Sequence, residues 1–445
     1  MFESHYHEQL PKEVKRIFEA NRKKAKLALE SRLLEKNVTM DGERIMPTSY
    51  LPRILPKNYE PIVEKACRLL TEAMLETAYE NPLSLNLPGL NRSLIDNMHI
   101  LEIMPKKAIA TCRYDFAISG NPSENNPPKL LEVNCVDYGG TGWVPNTINA
   151  FFETLPELSG IVSCKDIIAD MAKNFSRMGK KALFITAGET SFPDYALFER
   201  EMKNQGIILS SISDDELRAI YDTKKVKFSH NGIDIQTGAI KGHYDFIYPR
   251  SFSTRGEIAY LKNILTDIIE NSVPVYDNFF GILLENKSAH TSFREEARKL
   301  FCEENFEFID KVFVNSTALD SCLKEELLRN PRNRVLKYSD GHMGKKVFAN
   351  SAMAPVLKAI KRTSGWLAQD FVEINTAELE PLHSKRFRGI VDLSVYVSYA
   401  FDSSKPRGER MEEFSVSGYL CRSSGSSYKV NVSSGGCFVP VFFSK

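Results

Sequence analysis

Two short extended segments set most of the limits on this chain. The first runs from Ala108 to Ser119 and contains Arg113-Tyr114-Asp115-Phe116; the second, Lys129 to Asn134, contains Glu132-Val133-Asn134. Between them lies a loop of turn formers, GNPSENNPP. Side chains alternate across a strand, so Arg113 and Asp115 share one face, as do Glu132 and Asn134. Paired as a hairpin, the two segments place a cation, two carboxylates and an amide on one sheet face. Cys112, Tyr114, Phe116, Leu131 and Val133 then lie on the other. A solvated strand face also alternates, and alternation alone favours that reading. The joint pattern R-x-D then E-x-N is more restrictive than either pair, and the run VDYGGTGW after Cys135 is a glycine-rich loop of the kind found beside ligands. Oxygen donors of this type suit Mg²⁺, which takes few carboxylates and keeps positions open for phosphate oxygens. A guanidinium beside them pairs well with a phosphoryl group.

The rest of the chain falls into four regions: helical over 1–97, the extended segments over 98–159, alternating strand and helix over 160–284, and a final region over 285–445. KEVKRIFEANRKKAKLALESRLLEK and IVEKACRLLTEAMLETAYE have helical character, with Pro47, Pro52 and Pro56 marking a loop between them. HILEIMP reads as a further strand before the hairpin. In the third region KALFIT, PDYALFEREMKNQG and IILSSIS follow one another as strand, helix and strand, and YDFIYPR leads to a helix through AYLKNILTDIIENS. This βαβ rhythm predicts a parallel sheet, so the fold class is α/β combined with α+β. Lys plus Arg is 58 against 57 for Asp plus Glu, a net charge of +1, which gives no electrostatic footprint for nucleic acid or an anionic membrane. No apolar run reaches the roughly 18 residues of a membrane span, and the first residues lack the apolar stretch of a signal peptide. The eight scattered cysteines read as reduced, packed thiols, so a cytoplasmic location is expected. Cys135 has no assignable base nearby in sequence and reads as a packed thiol.

The segments R-x-D-F and L-L-E-x-N resemble the paired metal-site strands of ATP-grasp ligases. That resemblance implies that Arg113 contacts the transferred phosphoryl group while Asp115, Glu132 and Asn134 hold Mg²⁺. The ATP-binding lysine normally precedes such strands. Here the matching segment comes later, at Val335-Leu336-Lys337, followed by Gly341 and Gly344 in a loop suited to covering phosphates. The reversed order is similar to the circularly permuted ATP-grasp families, notably the synthetase domain of glutathionylspermidine synthetase. The implied fold is a permuted ATP-grasp domain with an N-terminal helical region and a parallel-sheet α/β domain at 160–284.

Further segments extend the resemblance. Asn286-Lys287 resembles the lysine-containing helix start of the nucleotide module, and Gln369, Asp370 and Glu373 the hinge that receives adenine and ribose. Arg422 and Asn431 resemble the closing R…N…GG signature. The implied activity is ATP- and Mg²⁺-dependent ligation of a carboxylate to an amine through an acyl phosphate, with Arg113, Lys337 and Arg422 acting on the transferred group. Loops at 341–344 and 139–142 are expected to close over it. After Asn134 the chain reads Cys135-Val136-Asp137 where the family usually turns toward Thr-Pro, so the acceptor substrate departs from the pattern. Substrates are expected to be small-molecule or peptide acids and amines, with homodimerisation left open. A nucleotide-binding module without ligase activity, and a phosphoryl transferase that stops at the intermediate, are the competing readings.

Overall fold

The opening helical stretch is broken. Asn21 adopts a left-handed conformation, φ 54°, between α1 (Lys12–Glu19) and α2 (Arg22–Glu35). Asparagine tolerates that region better than most residues, and the break turns the buried side of α2 (Ala25, Leu29, Leu33) onto the same core as Val14 and Phe18 of α1. The computed structural model describes residues 6–80, 106–135, 139–186, 193–250, 258–276, 281–330, 333–339, 346–349, 352–424 and 436–445. The HILEIMP segment lies outside them.

The long helix α3 (Glu60–Glu80) buries Val63, Ala66, Leu70 and Met74 among other residues. It lies against the sheet that carries β1 (Lys107–Ala117) and β2 (Lys129–Asn134), and the Tyr114 hydroxyl meets Thr71 Oγ1 of α3 at 2.8 Å. Beyond β2 come α4 (Trp143–Thr154) and α5 (Ile167–Met178), the latter capped by the Asp166 carboxylate, which accepts from the N–H groups of Ile168 and Ala169.

The expected βαβ unit is present. β3 (Lys181–Thr186), α6 (Pro193–Asn204) and β4 (Ile208–Ser213) are joined by β5 (Phe246–Pro249) in a parallel three-stranded sheet of order β5-β3-β4, with α7 (Ile258–Glu270) following. An unexpected antiparallel sheet, Val226–Ser229, Gly232–Ile235 and Gly242–Tyr244, interrupts it.

The last region does not form one unit. After α8 (Ala289–Leu300), the strands β6 (Ser316–Ala318), β7 (Arg334–Tyr338), β8 (Val347–Ala349) and β9 (Trp366–Asp370) make a small antiparallel sheet of order β6-β9-β7-β8 around Leu336, Ala368 and Leu357. The chain then returns to the first sheet through β10 (Thr376–Leu379), β11 (Phe387–Val391), β12 (Leu393–Asp402) and β13 (Met411–Ser424). The order there is β10-β11-β13-β12-β1-β2, and every residue of β12 is buried. The N-terminal region is stitched into the same body: His7–Glu8 pairs with β10, and Arg53–Leu55 pairs in parallel with Val441–Phe443. Among the described residues no helix is long and apolar enough to cross a membrane.

Candidate active site

The strand register decides which side chains meet. β1 and β2 are antiparallel, with Arg113 opposite Asn134 and Asp115 opposite Glu132. On the other edge of β1, β12 places Tyr396 opposite Arg113 and Ser394 opposite Asp115. β13 places Leu420 opposite Ser394, which puts Arg422, two residues on, on that same face. Four strands therefore supply one polar surface: Arg113, Asp115, Glu132, Asn134, Ser394, Tyr396 and Arg422. It is not a solvated face, since Arg113 and Asp115 are buried.

Asp115 is the hub. The Arg113 guanidinium donates to both of its oxygens, Nε to Oδ1 at 2.9 Å and Nη2 to Oδ2 at 3.0 Å. Ser394 Oγ donates to Oδ1 at 2.7 Å, while Asn134 Nδ2 at 3.1 Å and Arg422 Nη2 at 2.8 Å donate to Oδ2. Burial raises its pKa, but the Arg113 and Arg422 charges outweigh burial and hold the carboxyl well below the usual range. Asp392 also holds Arg422, its Oδ2 accepting from Nε at 2.9 Å and from Nη2 at 2.6 Å.

The lysines arrive from elsewhere in the chain. Lys287, just before α8, donates from Nζ to Glu132 Oε1 at 2.8 Å, and its backbone N–H donates to the Ser339 carbonyl at the end of β7. Lys337 of β7 donates from Nζ to the Leu131 carbonyl of β2 at 3.3 Å, so the small sheet leans directly over the strand that bears Glu132. Burial raises the Glu132 pKa, but Lys287 more than compensates and lowers it. Burial, then the Lys287 charge, bring Lys337 down to about 8. His290, in the first turn of α8, is 3% exposed, and both ring nitrogens are without a hydrogen-bond partner among the described residues. Burial followed by the Lys337 and Lys287 charges lowers its pKa to about 3, which keeps the ring neutral.

The glycine run after β2 is pinned. The Asp194 carboxylate at the start of α6 accepts from the N–H groups of Gly140, Gly142 and Trp143, each at 2.8 Å. The Gly139 carbonyl accepts from the Tyr396 hydroxyl at 2.6 Å and from Arg113 Nη1 at 3.4 Å. Gly140 has φ 102°, and a Cβ there would run into the Tyr396 hydroxyl; a Cβ at Gly142 would run into the backbone of Asp194 and Phe198. Residues 139–142 therefore form a fixed wall beside Arg113, in place of the closing loop expected from glycine content. The Gly140, Gly142 and Trp143 N–H groups are already paired, and glycine serves close packing here.

The remaining expected residues are placed as follows. Gln369 is buried on β9 and donates to Ser316 Oγ at 3.2 Å. Asp370 is tied to Arg334 and to Asn315, whose Nδ2 donates to it at 3.0 Å. Glu373 is exposed beyond the strand. Gly341, Gly344 and Asn431 lie outside the described residues. Cys135 is buried beside Met74, as befits a packed thiol. Asp194, His290, Ser394 and Tyr396 were not anticipated.

The donor set can be tested against Mg²⁺. Among the described residues no group of three or more His, Cys, Asp or Glu could hold a metal by itself. Both Asp115 oxygens are engaged, whereas Glu132 already carries a cation, the Lys287 ammonium, and the bond to Asp115 uses Asn134 Nδ2 and not its amide oxygen. One carboxylate and one amide oxygen fit an ion that completes its shell with phosphate oxygens and water.

The sequence matches no protein-family model and no curated protein. Among solved structures it is similar to a glutathione synthetase-like effector from Globodera pallida, with a TM-score of 0.70, 14% identity and 98% of each chain covered. A putative γ-glutamylcysteine synthetase from Methylobacillus flagellatus aligns at a TM-score of 0.41 and 12% identity, over 85% of this chain and 86% of the other. The chain has a mixed α/β fold of the glutathione synthetase-like kind.

Proposed function

We propose that this protein is an ATP-dependent carboxylate–amine ligase of the circularly permuted ATP-grasp type. The observation that carries the reading is the convergence of Lys287 and Lys337 on β2. Two ammonium groups from separate later segments, the approach to α8 and the strand β7, reach the strand bearing Glu132 and Asn134. The glutathione synthetase-like fold supports the same class.

In this reading Lys287 and Lys337 bind the phosphates of ATP as point charges, and Lys287 leaves Glu132 to do so. Glu132 and Asn134 hold Mg²⁺, which when bound supplies charge neutralisation for the triphosphate. Asp115 acts as the anchor that orients Asn134, Arg113 and Arg422. The two guanidiniums are fixed before substrate arrives, so they stabilise developing phosphoryl charge without reorganising. The pinned wall at 139–142 excludes water from that side, where an acyl phosphate would otherwise hydrolyse. The polar face and its Arg113–Arg422 pair take the acid component, and an amine attacks the activated carbonyl carbon with release of phosphate.

A second reading, a nucleotide-binding module without ligation, is favoured by one observation: with Asp115 saturated, Glu132 is the only one of the two hairpin carboxylates available to an ion. The test is mass spectrometry of products formed from purified protein, Mg-ATP and pooled acids and amines. A product with the mass of a condensation, absent for Glu132→Gln, supports ligation. Tight Mg-ATP binding with no product from any pool would favour the module.

A further inference from the structure

His290 stands out among the buried polar groups of the site. It is 3% exposed, yet neither ring nitrogen has a partner among the described residues. Native proteins rarely leave such atoms unpaired, so an orphan ring three residues after Lys287, in the first turn of the helix that follows it, points to a missing ligand atom. The surroundings define the chemistry of that atom. Lys337 and Lys287 both act on the ring, and Glu132 is the carboxylate acting on it. Two ammonium groups disfavour a metal ion on the imidazole and favour an anion. The ring also sits in the first turn of a twelve-residue helix, where the helix dipole adds positive potential. Phe293, with ring centroids 6.1 Å apart, packs beside the imidazole and helps to fix it in place.

We propose that His290 is a phosphate ligand of the nucleotide, its ring N–H donating to a phosphoryl oxygen held between Lys287 and Lys337. This rests on the nucleotide-site reading above and adds a contact to it. A neutral imidazole gives a single directed donor, whereas the two lysines give undirected charge, so His290 fixes the rotation of the phosphate group between them. The alternative is an unused buried ring, and that alternative makes opposite predictions.

The experiment compares wild type, His290→Leu and His290→Gln by isothermal titration with Mg-ATP and with inorganic tripolyphosphate, alongside thermal unfolding without ligand. His290→Leu is expected to raise the Kd for both ligands by about tenfold or more, the range for a hydrogen bond to a charged group. Its unliganded Tm should stay level or rise, because an unpaired buried polar ring has been removed. His290→Gln, which keeps an N–H donor, should recover most of the affinity. Leu-variant binding within about twofold of wild type would overturn the proposal, as would a loss confined to ATP with tripolyphosphate unaffected. If wild type itself binds neither ligand, the nucleotide-site reading falls and His290 falls with it; if wild type binds and Leu binds equally, only the His290 assignment falls.

Discussion

Replacing Asp115 with asparagine should weaken the fold before it touches catalysis. Asp115 accepts five hydrogen bonds and neutralises the buried Arg113 and the part-buried Arg422 guanidiniums, with Asp392 the other carboxylate bonded to Arg422. An amide in its place offers one acceptor oxygen and turns an N–H₂ group toward donors. Breaking a buried ion pair by removing one partner costs about 3–5 kcal/mol. Unfolding entropy of about 2.1 cal/mol/K per residue gives roughly 0.9 kcal/mol per degree for 445 residues melting together. The expected fall in Tm is therefore about 3–5 °C, and larger if the sheet melts as a smaller unit. Thermal unfolding of the unliganded protein, in chelator, measures it. The reasoning is refuted by an unchanged midpoint, which would mean that Asp115 is a spare ligand and not the anchor of this network.

Three further outcomes follow from the same geometry. Gly142→Ala forces a Cβ into the backbone of Asp194 and Phe198, and should lower stability by about 2 kcal/mol or more in denaturant titration; wild-type stability would show that the wall gives way. Because folding holds His290 at about 3 against an ordinary 6.5, the unfolded chain takes the proton first as pH falls. Stability is thus lost from about pH 6.5 downward toward 3, at about 1.4 kcal/mol per unit, and the difference curve between wild type and His290→Leu should show that slope. Lys337, held at about 8 against 10.5, gives the counterpart at high pH: stability rises from about pH 8 to 10.5, and Lys337→Met should flatten that rise.

The hairpin was legible because its information is local. Two alternating strands and a turn-rich loop determine both the pairing and the shared face of Arg113, Asp115, Glu132 and Asn134. β12 was not legible in the same way. It is buried on both faces, so Ser394 and Tyr396 carry no amphipathic signal and their meeting with Asp115 and Gly139 depends on a register set by distant strands. Asp194 reads as an ordinary acidic residue at a helix start, and only packing shows that its carboxylate serves the Gly140–Trp143 backbone instead. The break at Asn21 was hidden by a run of good helix formers on either side. The antiparallel insertion did have a signal, Asn231-Gly232 where two short apolar alternations meet, with Gly232, the first residue of the second strand, at φ 125°.

The central claim is that Lys287 and Lys337 clasp a triphosphate above Glu132 and Asn134. A crystal structure with Mg²⁺ and a non-hydrolysable ATP analogue tests it most directly. Phosphate oxygens are expected within hydrogen-bond distance of both ammonium groups, with Lys287 withdrawn from Glu132 and the ion on Glu132 and Asn134. A nucleotide seated elsewhere, or Lys287 still bonded to Glu132 with the analogue bound, would contradict it.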